Sequence, residues 1–558
     1  MKIADGITNR TESSMGSTML NQELGCLRKT GRLLTGLFIA VLICAFLPPA
    51  AQAMRLVFGL DTAPERLIPI KIKNPQTFPV SMQIFQGLCD LDEKGSVIPC
   101  IAESWDTKDY KTWRFHIRRG VFFQKSPIFQ NGTREVTAED VLYCLTRFCS
   151  ASSYNAFLLI DSVIGAAEYN QGKAEKVKGL SLLDKYTIQI DLLRPELFFI
   201  NRLSTALVSV FPREVDKKEY GEKVGLSLVV GTGPYVLQSR TETEVVLKRN
   251  DNYWNTATQP HFDEITFRVI RNDQMRLVNL QRGNIDLMVL PSSLFPSVFN
   301  RNGTLREYIS KKFQMKIAAT FNTHFLGINN TAIPDVNLRR AMFWGTNRKE
   351  IIDTILYGYA DLTGGPVPPG IDGYKSPFTD SLFDPDKAKA YLKRSNYRGE
   401  PLELLLYDIA NSEQVGQIFQ AQMANVGIQV VLKKLDFNSV INRMVKGECQ
   451  LFSMFAEYVF SSPQPILINL FSSSKIPVPN VFHFSNSAVD AMLNSLYTIT
   501  NEKESVRECS RIVDRIMQGV PGVFLYRQKY VILYPKEMTG LEVSGNNHYF
   551  LEKMKIGR

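Results

Sequence analysis

Alternation of apolar and polar residues with a period of two predicts the strands of this chain, and recurrence every three to four residues predicts its helices. The stretch "RLVFGL" from residue 55 reads as a strand, and "WRFHIRRGVFF" from residue 113 alternates as a strand should. "YVLQSR" and "VVLKRN" form a hairpin pattern after Gly231, Thr232, Gly233 and Pro234, and "EITFRVI" at 264–270 is a further strand. Helical spacing follows at 274–281, 338–345, 348–356, 386–394 and 412–425, with Gly358 and Gly427 where helix C-caps belong. Strands alternating with helices, without repeats or a low-complexity linker, predict an α/β protein with several sheets.

The best defined helix start is "VTAEDVLYCLTRF" at 136–148. Thr137 suits an N-cap, the Asp140 carboxylate reaches back as in a capping box, and Val136 and Val141 form a staple. Val141, Cys144, Leu145 and Phe148 then share one face. A well-capped surface helix accounts for all of this, and nothing in the segment does chemistry. In the turn "DEKG", closure at Gly95 sets Asp92 opposite Ser96 and Cys89 opposite Pro99, which puts Cys100 on the other face.

The N-terminus departs from this pattern. Arg28, Lys29 and Arg32 precede an apolar run at 33–47, then Pro48, Pro49 and the small-residue site Ala51-Gln52-Ala53. The run is shorter than the ~20 residues that span a bilayer, so residues 1–53 read as a cleaved secretory signal rather than an anchor. Translation starts at Met1 or Met19. Ile43 stands where a small residue would precede a lipidated Cys44, so the expectation is a periplasmic protein. The remaining six cysteines lie in an oxidising compartment, which permits a Cys89–Cys100 bridge without requiring one. The formal charge of +10 over 558 residues is spread thinly and forms no basic stripe interleaved with aromatics, which argues against nucleic acid as a partner.

Catalytic patterns are weak. The histidines at 116, 261, 324, 483 and 548 have no second histidine or cysteine at ligand spacing, so no metal site and no cofactor are predicted. "GLSLV" at Gly225 fails the nucleophile-elbow pattern at Val229. "SSSK" at 472–475 matches Ser-x-x-Lys, but its Lys-Thr-Gly companion occurs only at 29–31, inside the signal. A secreted hydrolase acting through Ser472 is the alternative from a different class, and the leading expectation is a protein with no catalytic residues.

Seven segments in order carry a resemblance: "FQGLCDLDEKGSVIPCIAESWDT" (85–107), "KTWRFHIRRGVFF" (111–123), "GTGPYVLQSRTETEVVLKRNDNYW" (231–254), "LRRAMFWGTNRKEIIDTILYGYA" (338–360), "GGPVPPG" (364–370), "FDPDKAKAYL" (383–392) and "FQAQMANVGIQVVL" (419–432). With the segment at 136–148, they resemble the family 5 extracellular solute-binding proteins, the peptide and nickel binders of bacterial ABC importers. The resemblance implies a two-lobed periplasmic binding protein of type II, cluster C-like. Residues 54–268 and 520–558 would form the first lobe, with an extra subdomain at roughly 100–235, and residues 269–519 the second. The two crossing strands are expected near 264–270 and 520–526.

It also implies a monomer that captures a peptide or other small solute and hands it to ABC permease subunits; a receptor feeding a membrane sensor would have the same fold. The ligand-binding positions carried by the resemblance are Phe85, Tyr407, Met454, Phe455, Glu457 and Tyr458. Glu457 is the sole acid in "LFSMFAEYVFSSPQP" (451–465), where peptide binders tend to carry an aspartate, and Phe455 and Tyr458 are expected to wall it off from water. "DIANSEQ" (408–414) lacks the arginine that some dipeptide binders offer to a carboxylate, and Asn347 stands where aspartate is usual. The first two departures point away from an ordinary dipeptide and towards a longer peptide, a modified peptide or another solute.

Overall fold

The computed structural model describes residues 54–557 except 74, 93, 372, 373, 375–381, 409, 410 and 459–461, so the signal at 1–53 and parts of the 408–414 and 451–465 loops lie outside the described residues. Two large sheets organise the chain. The first runs Tyr235–Arg240, Glu244–Arg249, Glu264–Val269, Arg55–Leu60, Leu287–Val289, Tyr530–Pro535, Phe313–Ala318, and the second Ala360–Leu362, Gly522–Gln528, Asn322–Ile328, Leu451–Glu457, Leu402–Tyr407, Val430–Leu435. Arg55–Leu60 is parallel to both of its neighbours and buried along most of its length, as a central parallel strand should be.

Local signals appear where the pattern places them. The hairpin Tyr235–Arg240/Glu244–Arg249 is antiparallel with Tyr235 opposite Arg249. The helices Asp273–Gln281, Val336–Gly345, Arg348–Leu356, Pro385–Lys393 and Ser412–Val426 match the periodic segments. Gly427 caps the last of these with φ +103°, a conformation that costs glycine nothing. After Arg348–Leu356 the left-handed turn begins one residue early, at Tyr357. Cys89 opposes Pro99, and the Asp92 amide donates to Ser96 O at 3.0 Å. The Cys89 and Cys100 thiols are free and buried.

A separate four-stranded antiparallel sheet, Ala102–Thr107, Thr112–Ile117, Thr187–Asp191 and Leu180–Asp184, carries the helix Ala138–Cys149. At its start the Thr137 amide donates to Asp140 at 3.0 Å, and the Arg134 guanidinium donates to both Asp140 oxygens at 2.6–2.7 Å. The same guanidinium reaches both oxygens of Glu214 at 2.7 Å, so the start of this well-capped helix also closes a part-buried charge cluster.

The crossings lie elsewhere than expected. Glu264–Val269 sits inside the first sheet and Gly522–Gln528 inside the second. The chain passes between sheets at 319–321 and returns at Lys529, and residues 269–318, read as second lobe, contribute Leu287–Val289 and Phe313–Ala318 to the first sheet. Period-two apolarity identifies a strand but carries no information on which sheet it joins. Thr320 Oγ1 donates to Gln528 O at 2.6 Å and the Gln528 amide to Asn322 Oδ1 at 3.0 Å, which ties the two crossings side by side.

Candidate functional site

A cavity of about 350 Å³ opens where the two sheets meet. Phe58 and Leu60 at the end of the central parallel strand form one wall, and Asn322, His324, Phe455 and Glu457 form the opposite one. Tyr530, just past the return crossing, and Asn547 and Tyr549 of the C-terminal segment complete it.

The acid is held by local geometry. In the strand Leu451–Glu457, positions two apart share a face, so Phe455 and Glu457 both reach the cavity. Glu457 Oε1 accepts from Asn547 Nδ2 at 2.9 Å. Asn547 is positioned by a tight turn in which it takes φ +64°, a region asparagine tolerates better than most residues, with its amide donating to Ser544 O at 3.1 Å. Gly545 permits this turn to dock, because a Cβ there would lie 2.5 Å from the Phe321 ring. Burial pushes the Glu457 carboxyl above its usual range, with the Asn547 bond pulling the other way. Among the described residues Glu457 forms no ion pair.

His324 contributes an aromatic face rather than a charge. Its ring stacks on Tyr526 and Phe455 at centroid distances of 4.7 and 5.4 Å, and burial lowers its pKa to about 4, so it is neutral at ordinary pH. Burial, reinforced by Glu457, pushes the Tyr530 phenol well up.

The positions taken from the resemblance separate. Tyr407, Met454 and Phe455 meet at a void of about 20 Å³ beside His324, where the buried Tyr407 hydroxyl has no hydrogen-bond partner among the described residues. Only Phe455 and Glu457 reach the main cavity. Phe85 lies elsewhere, in a recess of about 210 Å³ with Trp254, Asp90 and His548. Tyr458 does not wall the acid: its amide donates to Phe321 O at 2.6 Å and its hydroxyl to Pro366 O at 3.0 Å, within the core of the second half. It follows Glu457 directly, and one step along an extended chain reverses the side chain. Asn322, Tyr530, Asn547 and Tyr549 escaped sequence reasoning; the asparagine pair between Gly545 and two aromatics was the available signal.

The hydrolase pattern is dismantled by its partners. Lys475 Nζ pairs with Asp161 at 2.5 Å, Ser473 donates its hydroxyl to Asp490, and Ser472 has the Ser474 hydroxyl at 2.9 Å, so among the described residues no base is hydrogen-bonded to Ser472. Among the described residues no group of three or more histidine, cysteine or acidic side chains could hold a metal ion, and no helix is long and apolar enough to cross a membrane.

Residues 96–477 match the model of the bacterial extracellular solute-binding proteins, family 5. The chain is 27% identical over 464 residues to a dipeptide-binding protein of Escherichia coli, covering 80% of this chain and 83% of that one. It is 26% identical over 449 residues to heme-binding protein A of Haemophilus influenzae, covering 76% and 78%. Among solved structures, an ABC transporter-associated periplasmic binding protein from Helicobacter pylori in complex with the peptide STSA superposes with a TM-score of 0.73 at 22% identity, covering 91% of this chain and 99% of that one.

Proposed function

Because this chain belongs to the bacterial extracellular solute-binding proteins, family 5, with their two-lobed α/β fold, we propose that it captures a peptide or peptide-like solute in the cavity between its sheets and delivers it to the permease of an ABC importer. The observation that carries this reading is the carboxylate of Glu457, held by Asn547 in a cavity walled by aromatic rings and forming no ion pair among the described residues. An ammonium group of the solute supplies that cation, and the surrounding rings exclude the water that would otherwise screen the pair.

Capture requires the halves to move relative to each other about the crossings at 319–321 and Lys529, since a ligand favours the closed state only by touching both sides. Contacts away from the cavity already span the halves: Lys475 pairs with Asp161, and the Arg194 guanidinium lies 3.7 Å from the Tyr497 ring centre. Native mass spectrometry of gently purified protein is expected to reveal a co-purified solute. Small-angle scattering is expected to show a smaller radius of gyration with that solute than without it; an unchanged radius contradicts closure. The same solute, offered to cells, should enter only when the permease is present, which separates import from a purely sensory role.

Delivery to a permease places the protein in the periplasm, with residues 1–53 as its cleaved signal. N-terminal sequencing of periplasmic material is expected to begin at or near Met54. Retention of residues 33–47 in the mature chain would mean a membrane anchor.

A further inference from the structure

The cavity is rich in acceptors and poor in positive charge. Besides Glu457, Asn547 lines it, 6% exposed and with its Nδ2 donating to Glu457 Oε1 at 2.9 Å. A second carboxylate, Asp61, stands at the rim, where both Tyr530 and Tyr549 feel its charge together with that of Glu457.

The one basic side chain among the described lining residues, Arg276, is committed. It is 3% exposed, its Nη1 donates to Ile270 O at 2.6 Å and its Nη2 to Asp273 at 2.7 Å. His324 is neutral. Asn322 and Asn547 each donate one Nδ2 hydrogen, to Thr320 and Glu457, and neither amide carries a charge. A carboxylate entering this cavity would therefore meet two like charges and no described cation to receive it, whereas an ammonium would meet Glu457.

We propose that the captured solute is an organic cation whose ammonium sits against Glu457 and which carries no free carboxylate: an amine, or a peptide whose acid end is blocked. This rests on the reading that the cavity is the capture site. It extends that reading by assigning the charge of the whole solute.

Calorimetry with three probes tests it: trialanine as the free acid, trialanine amide, and N-acetyl-trialanine amide. The amide is expected to bind at least tenfold more tightly than the free acid and at least tenfold more tightly than the acetylated form, which has no ammonium. A free acid that binds as tightly as the amide overturns the inference and leaves the capture reading intact. If none of the three binds, the solute released from the purified protein decides: an amine without an acid group supports the inference, and an acid overturns it. Failure of all three probes, with no solute released and no compaction, overturns both.

Discussion

Glu457→Gln is expected to lower affinity for the amine-bearing solute by roughly ten- to a hundredfold and at the same time to raise the melting temperature of the empty protein. The first effect follows from removing one charge-assisted hydrogen bond in a dry cavity, worth on the order of 1.5–3 kcal/mol, with each 1.4 kcal/mol amounting to tenfold in affinity. Glutamine keeps the shape and can still accept from Asn547 Nδ2. The second effect follows from the direction of the Glu457 shift. Burial raises its folded-state pKa, so the stability that its protonated form contributes is fully present below the unfolded carboxyl value and fades as pH rises through the folded one. At neutral pH the empty protein therefore carries a desolvated charge that the variant lacks. In the wild type, affinity is expected to hold near neutrality and fall on acidification through that raised value, whereas in the variant it should be flat over the same range. Calorimetry across a pH series checks both. A change in affinity under about twofold, in a variant that still closes, removes Glu457 from the site.

Arg134→Met is expected to destabilise the protein by roughly 3–5 kcal/mol without altering the cavity, because it leaves a buried acid without its cation. Asp140 is fully buried, and both of its oxygens accept from the Arg134 guanidinium, which also holds both oxygens of Glu214 at 2.7 Å. The Phe123 and Phe129 rings lie 5.0 and 5.5 Å from that guanidinium, so a lysine would not replace its planar fork. Urea unfolding should show the loss, and adding Asp140→Asn to the Arg134→Met background should recover part of it, since the stranded charge is then gone. Acid should act on the same cluster. Burial raises the Glu214 carboxyl, but the Arg134 bonds and charge outweigh it, so the net shift is downward; the stability this contributes is present above the unfolded carboxyl value and is lost as pH falls through the depressed one. Equal stability of the Arg134→Met variant and the wild type would mean that Asp140 does not need this cation, its Thr137 donors being enough.

The segment at 136–148 shows how far sequence reasoning reaches. Its helix, its acidic first turn and its apolar face are visible in thirteen consecutive residues, because capping and helical periodicity act over three or four positions. The hairpin register that sets Cys89 against Pro99 is visible for the same reason. The pairing of Asp140 and Arg134 with Glu214 is not, since Glu214 lies 80 positions from Arg134 and nothing local marks it.

The candidate site divides in the same way. The sequence by itself determined the α/β class, which rests on spacing within single elements, and showed Glu457 as the sole acid of 451–465, although it read that segment as a loop where the structure has the strand Leu451–Glu457. Only the tertiary structure decided that the chain crosses between sheets at 319–321 and Lys529, that Tyr458 turns into the core, and that Asn547, 90 positions beyond Glu457, becomes its partner. Burial and partnership of a charge depend on which distant segments fold against it, and a one-dimensional pattern carries the periodicity of each segment but not the order in which the segments pack.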